Sequence, residues 1–454
     1  MKADRVDQLI ERIDCVYFLL FPGWKSELRA NRWHFASRWA ARKPVVLVTP
    51  SVKRGEAISE PEPRMPNCRI LNVQVVSEPN RLAKRGIQVG QVLADLAQHS
   101  HSKPLLWCYN PDFLEVYARV PAVARLYHAS ENYFAMPGLD AAFHARVKAT
   151  IACSDVTIAV SEGVANDLRR QAPESAVVTV SNGCDFHHYS TGQPDAGLVE
   201  RGRGFERIAV YAGNINARLD FELLRRLVSG HQNVLFAVYG PTKDLGSADS
   251  AAWHRVKNLT NVFAPGPIDP DQIRDVYAAA DVGLIPYRSE PWLVENGLPL
   301  KALEMCATGL PVVSTLMKPL QGLTAGIAVT STREEFLSTF DNTSRAAIPE
   351  RVADDMRAAC AANDYDVKFE HIIDELNERA TESVPATRMD RLVQSLGVEY
   401  TETEVRFARW LAMPLVVRAA GWSVGAIAQL LPARTRRRLG MTALRQRIRS
   451  VLGS

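Results

Sequence analysis

Residues 296–315 (NGLPLKALEMCATGLPVVST) set Lys301 and Glu304 three positions apart, behind Pro299 and ahead of Gly309 and Pro311. Proline suits the first turn of a helix and Gly followed by Pro ends one, so a short helix leading into the strand PVVST is expected. A helix start leaves amides unpaired and favours an anion such as a nucleotide diphosphate. Lys301 in that turn adds a full positive charge to the same oxygens, and Glu304 shares its face. A carboxylate beside a phosphate fits only if it binds hydroxyls, as on ribose or a hexose. Taken alone, the segment also reads as an ordinary amphipathic helix with a Lys–Glu surface pair.

Such a ligand needs elements that present it. Short apolar runs alternate with helix-length segments: VYFLLF (16–21), VVLVTP (45–50), PLLWCY (104–109), ARLYHAS (124–130), TIAVS (157–161) and VVTVSNG (177–183). A second series follows in RIAVYAG (207–213), NVLFAVYG (233–240), NVFAPG (261–266), DVGLIPY (281–287) and PVVST (311–315). Continuous apolar strands separated by helices argue for α/β architecture with two doubly wound parallel sheets. Residues 190–205 (STGQPDAGLVERGRGF) read as a loose polar join. Ligands of open parallel sheets bind beyond the carboxyl ends of the strands, so two such domains facing each other create a cleft.

At 454 residues, 47% hydrophobic and 23% charged, the chain is too long for one ordinary core and too apolar for disorder. The opening MKADRVDQLIERID reads as a charged helix rather than a secretory signal, which implies a cytosolic start. The seven cysteines form no C-x-x-C pair, and Cys15, Cys108 and Cys153 read as small buried hydrophobes. No G-x-G-x-x-G follows the first strand and no G-x-x-x-x-G-K-[ST] occurs, which argues against dinucleotide oxidoreductases and phosphate-loop NTPases. The triplets Asp269-Pro270-Asp271 and Asp364-Tyr365-Asp366 sit where helices need caps, so no metal and no cofactor are expected. The net charge of +4 is asymmetric: residues 405–454 carry ten Arg, no Lys and no acidic residue, which leaves −6 for the rest.

These blocks, in order and spacing, resemble the GT-B glycosyltransferases, in particular bacterial exopolysaccharide and teichuronic-acid-type members with a P-x-K-x-x-E core. The resemblance covers roughly residues 15–380. It implies two Rossmann-like domains, an acceptor-side one over 1–190 and a nucleotide-sugar-binding one over 191–385, with a helical basic tail over 386–454. In YAGNINARLDFELL (211–224) the backbone at Gly213 and Asn214 would face the diphosphate and Arg218 would neutralise it. Ala264, Pro265 and Gly266 would read the nucleobase, Lys301 would bind the diphosphate, and Glu304 would bind hydroxyls. NDYDVKFEHIIDELNERA (363–380) resembles the closing helix that crosses back to the first domain. Related retaining enzymes carry Glu where this chain has Asn296, so the stereochemical outcome stays open.

Glycosyl transfer needs a deprotonated acceptor hydroxyl and a stabilised leaving diphosphate. The base candidate is Glu131 in YHASENYFAMPG (127–138), after a strand and at the cleft edge; a helix-start carboxylate or a surface residue would look the same. His128 is the alternative base. The stretch FPGWKSELRANRWHFASRWAARKPVVLVTP (21–50) resembles the family's opening strand, loop and helix, with Arg29, Arg32 and His34 facing an anionic acceptor such as a lipid diphosphate, and with Trp33 and Trp39 as packing residues.

Residues 410–431 (WLAMPLVVRAAGWSVGAIAQLL) would span about 33 Å as a helix. Arg418 costs roughly 2.5–3.5 kcal/mol at a bilayer centre, which offsets most of the apolar gain. An interfacial helix with Arg-rich flanks on anionic lipid fits better, peripheral to the cytoplasmic face of the inner membrane, and no nucleic-acid partner is expected. The expected activity moves a sugar from a nucleotide sugar to a lipid-linked or saccharide acceptor. The alternatives on the same fold are a nucleotide-sugar 2-epimerase and a non-catalytic nucleotide-sugar-binding protein.

Overall fold

Strands that are apolar on every residue need cover on both faces, and the chain supplies it twice. The computed structural model describes residues 9–380 except 28, 52–58, 75–90, 137 and 244. The tail over 386–454, with the part 405–454 expected to contact a membrane, lies outside the described residues.

The first sheet contains β1 (Cys15–Leu19), β2 (Val45–Ser51), β3 (Ser59–Pro61), β4 (Cys68–Gln74), β5 (Pro104–Cys108), β6 (Ala124–Ala129), β7 (Val156–Ala159) and β8 (Val177–Thr179). Their order is β3-β4-β2-β1-β5-β6-β7-β8, parallel throughout except for β3 against β4. Strands β1, β5, β6 and β7 are buried at every residue, as expected of a parallel sheet between helical layers. The second sheet orders β9 (Arg207–Ala212), β10 (Val234–Tyr239), β11 (Val262–Gly266), β12 (Val282–Ile285), β13 (Val312–Thr315) and β14 (Ile327–Thr330) as β11-β10-β9-β12-β13-β14, all parallel. Strand order reverses between β9 and β12, which opens a crevice above their carboxyl ends.

The apolar-run reading did not include β3, β4 or β14. Polar residues interrupt β4 (CRILNVQ), and β14 has only four residues at the sheet edge. The join is more ordered than its composition suggests. Asp195 accepts from the Leu198 amide at 2.7 Å and caps a helix, Ala196–Gly202, whose Leu198 enters the second core. All seven cysteines are buried, and none forms a disulfide.

The last described helix, Tyr365–Arg379, returns to the first domain. Asp364 starts it by accepting from the amides of Asp366 (2.6 Å) and Phe186 (2.7 Å). Tyr365 stacks on His34 at 4.0 Å between centroids, Phe369 meets Trp39 edge-on at 5.1 Å, and Arg38 donates to Asp366 at 2.6 Å. Trp33 and Trp39 are thus both core residues. Among the described residues no helix is long and apolar enough to cross a membrane.

Phe369 is 1% exposed, so Phe369→Ala should cost about 3–5 kcal/mol. Val367 on the same helix is 48% exposed, and Val367→Ala should stay within about 0.5 kcal/mol. Denaturant unfolding of the two variants side by side checks the contrast.

Candidate active site

At the carboxyl edge of the second sheet two glycines permit a crowded approach. Gly213, after β9, has φ 150, and Gly240, after β10, has φ 137. A Cβ on Gly240 would collide with the Gly213 carbonyl, and a Cβ on Gly213 with the Lys301 ammonium group. Lys301 Nζ donates to Tyr287 Oη at 2.9 Å and to Tyr211 Oη at 3.4 Å, and lies 4.4 Å from the Tyr211 ring centre. Burial pushes the Tyr211 hydroxyl well above the usual tyrosine range. Burial acts on Tyr287 in the same direction, but the adjacent Lys301 holds that hydroxyl below it. Asn214 is exposed, and its carbonyl accepts from Tyr211 Oη at 2.8 Å.

Lys301 opens the helix Lys301–Ala307, and Gly309 at φ 74 ends it before β13. The amides of Ala302, Leu303 and Glu304 already donate to the carbonyls of Pro299 and Leu300. This corrects the expectation of free amides at the helix start, and the site's positive charge comes from the Lys301 side chain. Glu304 is buried at 9% exposure beside Tyr189. Burial raises its carboxyl to about 7, against the lowering pull of Lys301 and Tyr189. At neutral pH it is therefore poised between hydrogen-bond donor and acceptor, which suits hydroxyl partners.

Between the domains lies a cavity of about 320 Å³, lined in part by Arg32, Tyr109, Glu131, Asn182, Arg218 and Asn296. Glu131 follows β6, and Arg218 Nη2 donates to its Oε1 at 2.9 Å across the cleft. Burial works against the Arg218 charge, yet Glu131 raises its pKa further. The Arg218 guanidinium also lies 5.1 Å from the Trp292 ring centre. Asn296 Oδ1 accepts from Asn132 Nδ2 of the first domain at 3.4 Å, and a Cβ on Gly163 would collide with that same oxygen. Among the described residues Glu131 is the one acid lining this cavity.

The structure gathers Glu131, Arg218, Asn296 and Arg32 at the cavity, and Lys301 one residue beyond its lining residue Leu300. It holds other expected residues elsewhere. Arg32 itself is ion-paired to Glu27. Arg29, at φ 57, is ion-paired to Asp271 of the second domain and borders a separate hollow of about 300 Å³ with Arg64 and Asp185. His34 is buried against Tyr365; burial, with Arg38 and Arg29 nearby, holds its imidazole well below the usual range, so it packs a helix rather than presenting charge. His128 is likewise wholly buried, and burial lowers it to about 3. Ala264, Pro265 and Gly266 form the end of the edge strand β11 and do not line the cleft cavity. Asp269 and Asp364 cap helical turns. Among the described residues no cluster of three His, Cys, Asp or Glu could hold a metal ion. Tyr211, Tyr287, Trp292 and Asn182 enter the site without having been singled out from sequence.

Residues 206–341, which contain β9 to β14 and Lys301, match the family Glycosyl transferases group 1. The similarity to that family is confined to these residues of the second domain. The two domains together have the GT-B fold. The chain is similar to the sucrose-phosphate synthase of Thermosynechococcus elongatus, with TM-score 0.62 and 16% identity over 79% of this chain and 97% of that one. The α,α-trehalose 6-phosphate synthase of Burkholderia multivorans gives TM-score 0.58 and 12% identity over 81% and 98%. At these identities the likeness is one of fold. In sequence the chain is 28% identical over 151 residues to TuaH of Bacillus subtilis (strain 168), a protein assigned as a teichuronic acid biosynthesis glycosyltransferase. That match covers 33% of this chain and 36% of the relative, about a third of each.

Glu304 makes the stability of the second domain pH-dependent. An unfolded chain releases the proton near 4.5, whereas the folded one holds it to about 7. The contribution is full below the unfolded value and is lost as pH rises through the folded one, a change on the order of 3 kcal/mol. Glu304→Gln should remove that fall between pH 5 and about 7 and leave the variant more stable than wild type above it. Denaturant midpoints measured across this range check the difference.

Proposed function

We propose that the chain is a glycosyltransferase that moves a sugar from a nucleotide-sugar donor to a membrane-held saccharide acceptor, polyprenyl-diphosphate-linked, in polysaccharide assembly. One observation carries the reading: Lys301, set against the Gly213 backbone, stands beside a cleft that an Arg218–Glu131 pair spans. Lys301 and Arg218 supply positive charge where a departing diphosphate gathers negative charge. Glu304 takes hydroxyls of the donor. Arg218 and Glu131 neutralise each other, and both are about a third exposed, so an arriving diphosphate can compete for the guanidinium. Its capture releases Glu131 to accept the proton of the acceptor hydroxyl. With Asn296 neutral and Glu131 the one acid on the cavity wall, a single base facing the donor favours inversion of configuration.

The match to a protein assigned to teichuronic acid biosynthesis supports a saccharide acceptor. The ten arginines of residues 405–454 support attachment to anionic lipid at the cytoplasmic face of the inner membrane, where such an acceptor would be held.

Mass spectrometry of products from a panel of nucleotide sugars, with membrane extract as acceptor, tests the proposal. A product one sugar heavier than the acceptor is expected, and conversion of donor into another nucleotide sugar would point to an epimerase instead. Lys301→Ala should lower transfer by about 10²–10³-fold. Undiminished product formation by that variant would overturn the assignment of the site.

A further inference from the structure

The segment that precedes Lys301 has no regular structure between the helix Pro291–Asn296 and the helix Lys301–Ala307, so something outside it must set its position. Its Leu298 carbonyl accepts from Asn182 Nδ2 at 2.9 Å. Asn182 lies just beyond β8, on the way out of the first domain. Its own Oδ1 accepts from Asn31 Nδ2 at 2.9 Å, and Asn31 Oδ1 accepts from Tyr109 Oη at 2.6 Å. Asn31 Nδ2 also lies 3.3 Å from His128 Nε2.

The direction of this chain of bonds follows from its ends. A carbonyl at Leu298 can only accept, so the Asn182 amide faces it with nitrogen and turns its oxygen to Asn31. Asn31 must then give nitrogen to Asn182 and keep oxygen for the Tyr109 hydroxyl. His128 is enclosed by Tyr109, Phe35 and Trp107 with ring centres 4.8–5.9 Å away, and burial holds it neutral, so its Nε2 accepts from the same Asn31 nitrogen. Asn31, Tyr109 and His128 are at most 6% exposed. Tyr109, Asn31, Asn182 and Leu298 all line the cleft cavity.

We propose that Asn182 is a positioning residue: held by Asn31 and Tyr109 of the first domain, it fixes the Leu298 carbonyl and thereby the segment that delivers Lys301 and Glu304 to the donor. The proposal rests on the glycosyltransferase reading for its catalytic consequence, but not for its structural one. Asn182 touches neither group directly and acts through the backbone of residues 298–300.

Three variants of the full chain separate the links. Asn182→Asp keeps the shape and the acceptor toward Asn31 but sets a carboxylate oxygen against the Leu298 carbonyl. Asn182→Ala removes both bonds, and Tyr109→Phe removes only the far end of the chain. Amide hydrogen exchange of the peptide over residues 297–307 is the first readout, because it needs no substrate. Faster exchange there is expected in Asn182→Ala and Asn182→Asp alike, a smaller increase in Tyr109→Phe, and no further increase when Tyr109→Phe is added to Asn182→Ala. Unchanged exchange at 297–307 in both Asn182 variants, or wild-type behaviour of Asn182→Asp, would overturn the proposal. The second readout is sugar transfer with the donor that the wild type uses. Displacement of Lys301 by even about 1 Å predicts a loss on the order of 10²-fold in kcat for both Asn182 variants, with the thermal midpoint nearly unchanged. Transfer at the wild-type rate despite faster exchange would overturn the catalytic half. A wild type that transfers no sugar but shows the exchange pattern would refute the glycosyltransferase reading and leave the positioning role of Asn182 standing.

Discussion

The Lys301 ammonium group takes its place at the carboxyl edge of the second sheet in room that Gly213 leaves by having no side chain. The ammonium group occupies the space where a Cβ would lie, and the Gly240 backbone is pressed as closely on Gly213 from the other side. Both glycines sit at positive φ, which other residues enter at a cost. Strands β9 and β10 therefore end in a pair of close turns rather than in side chains, and the charge that would otherwise project into solvent is seated among Tyr211 and Tyr287. Those hydroxyls are acceptors that a diphosphate oxygen can replace, so the lysine is held in place without being committed.

The same site needs the first domain opposite it, and two kinds of contact provide that. The returning helix Tyr365–Arg379 places Tyr365, Phe369, Ile372, Ile373 and Leu376 in the first core, all at most 1% exposed. Each such side chain contributes about 1.5–3 kcal/mol by burial, so this attachment is permanent on the scale of domain stability. The ion pairs across the cleft differ in kind. Arg218 and Glu131 are 37% and 35% exposed, and pairs in that range are worth about 0–1 kcal/mol. A contact so weak does not hold the domains together, and on the proposed reading it is one that a ligand can exchange.

Most of the architecture was legible because burial on both faces writes itself as continuous apolar runs, and eleven of the strands coincide with such runs. What stayed hidden had a physical reason in each case. In β4, Arg69 turns to Asp95 and Asn72 accepts from Thr49, so polar residues satisfied by distant partners break the apolar run. The helix Ala196–Gly202 is too short and polar to declare itself without its cap at Asp195. In the site, Lys301 and Glu304 were readable from their spacing within one helix. Tyr211, Tyr287 and Trp292 were not, since their place in the site comes from neighbours that the fold brings in: Lys301, 90 positions from Tyr211 and 14 from Tyr287, and Arg218 for Trp292. Local spacing also misassigned His34, whose position in R-x-H suggested an exposed cation, whereas helix periodicity turns it inward onto Tyr365.

Asn296 links these levels. As a neutral amide it reaches across to Asn132, while Gly163 of the first domain leaves room for its oxygen. A carboxylate there would bring a second negative charge toward Asp167, which already accepts from the same Asn132 amide. The cost of that repulsion, in a cleft partly shielded from water, explains why an uncharged side chain fits this position in this chain. The neutral amide bridges the two domains at the cavity wall and, among the described residues, leaves Glu131 as the one acid lining it. Across the cleft the Arg218 cation of the second domain thus faces the Glu131 carboxylate of the first, while Arg32 on the first-domain wall is neutralised by Glu27, a separation that suits the proposed transfer between two bound substrates.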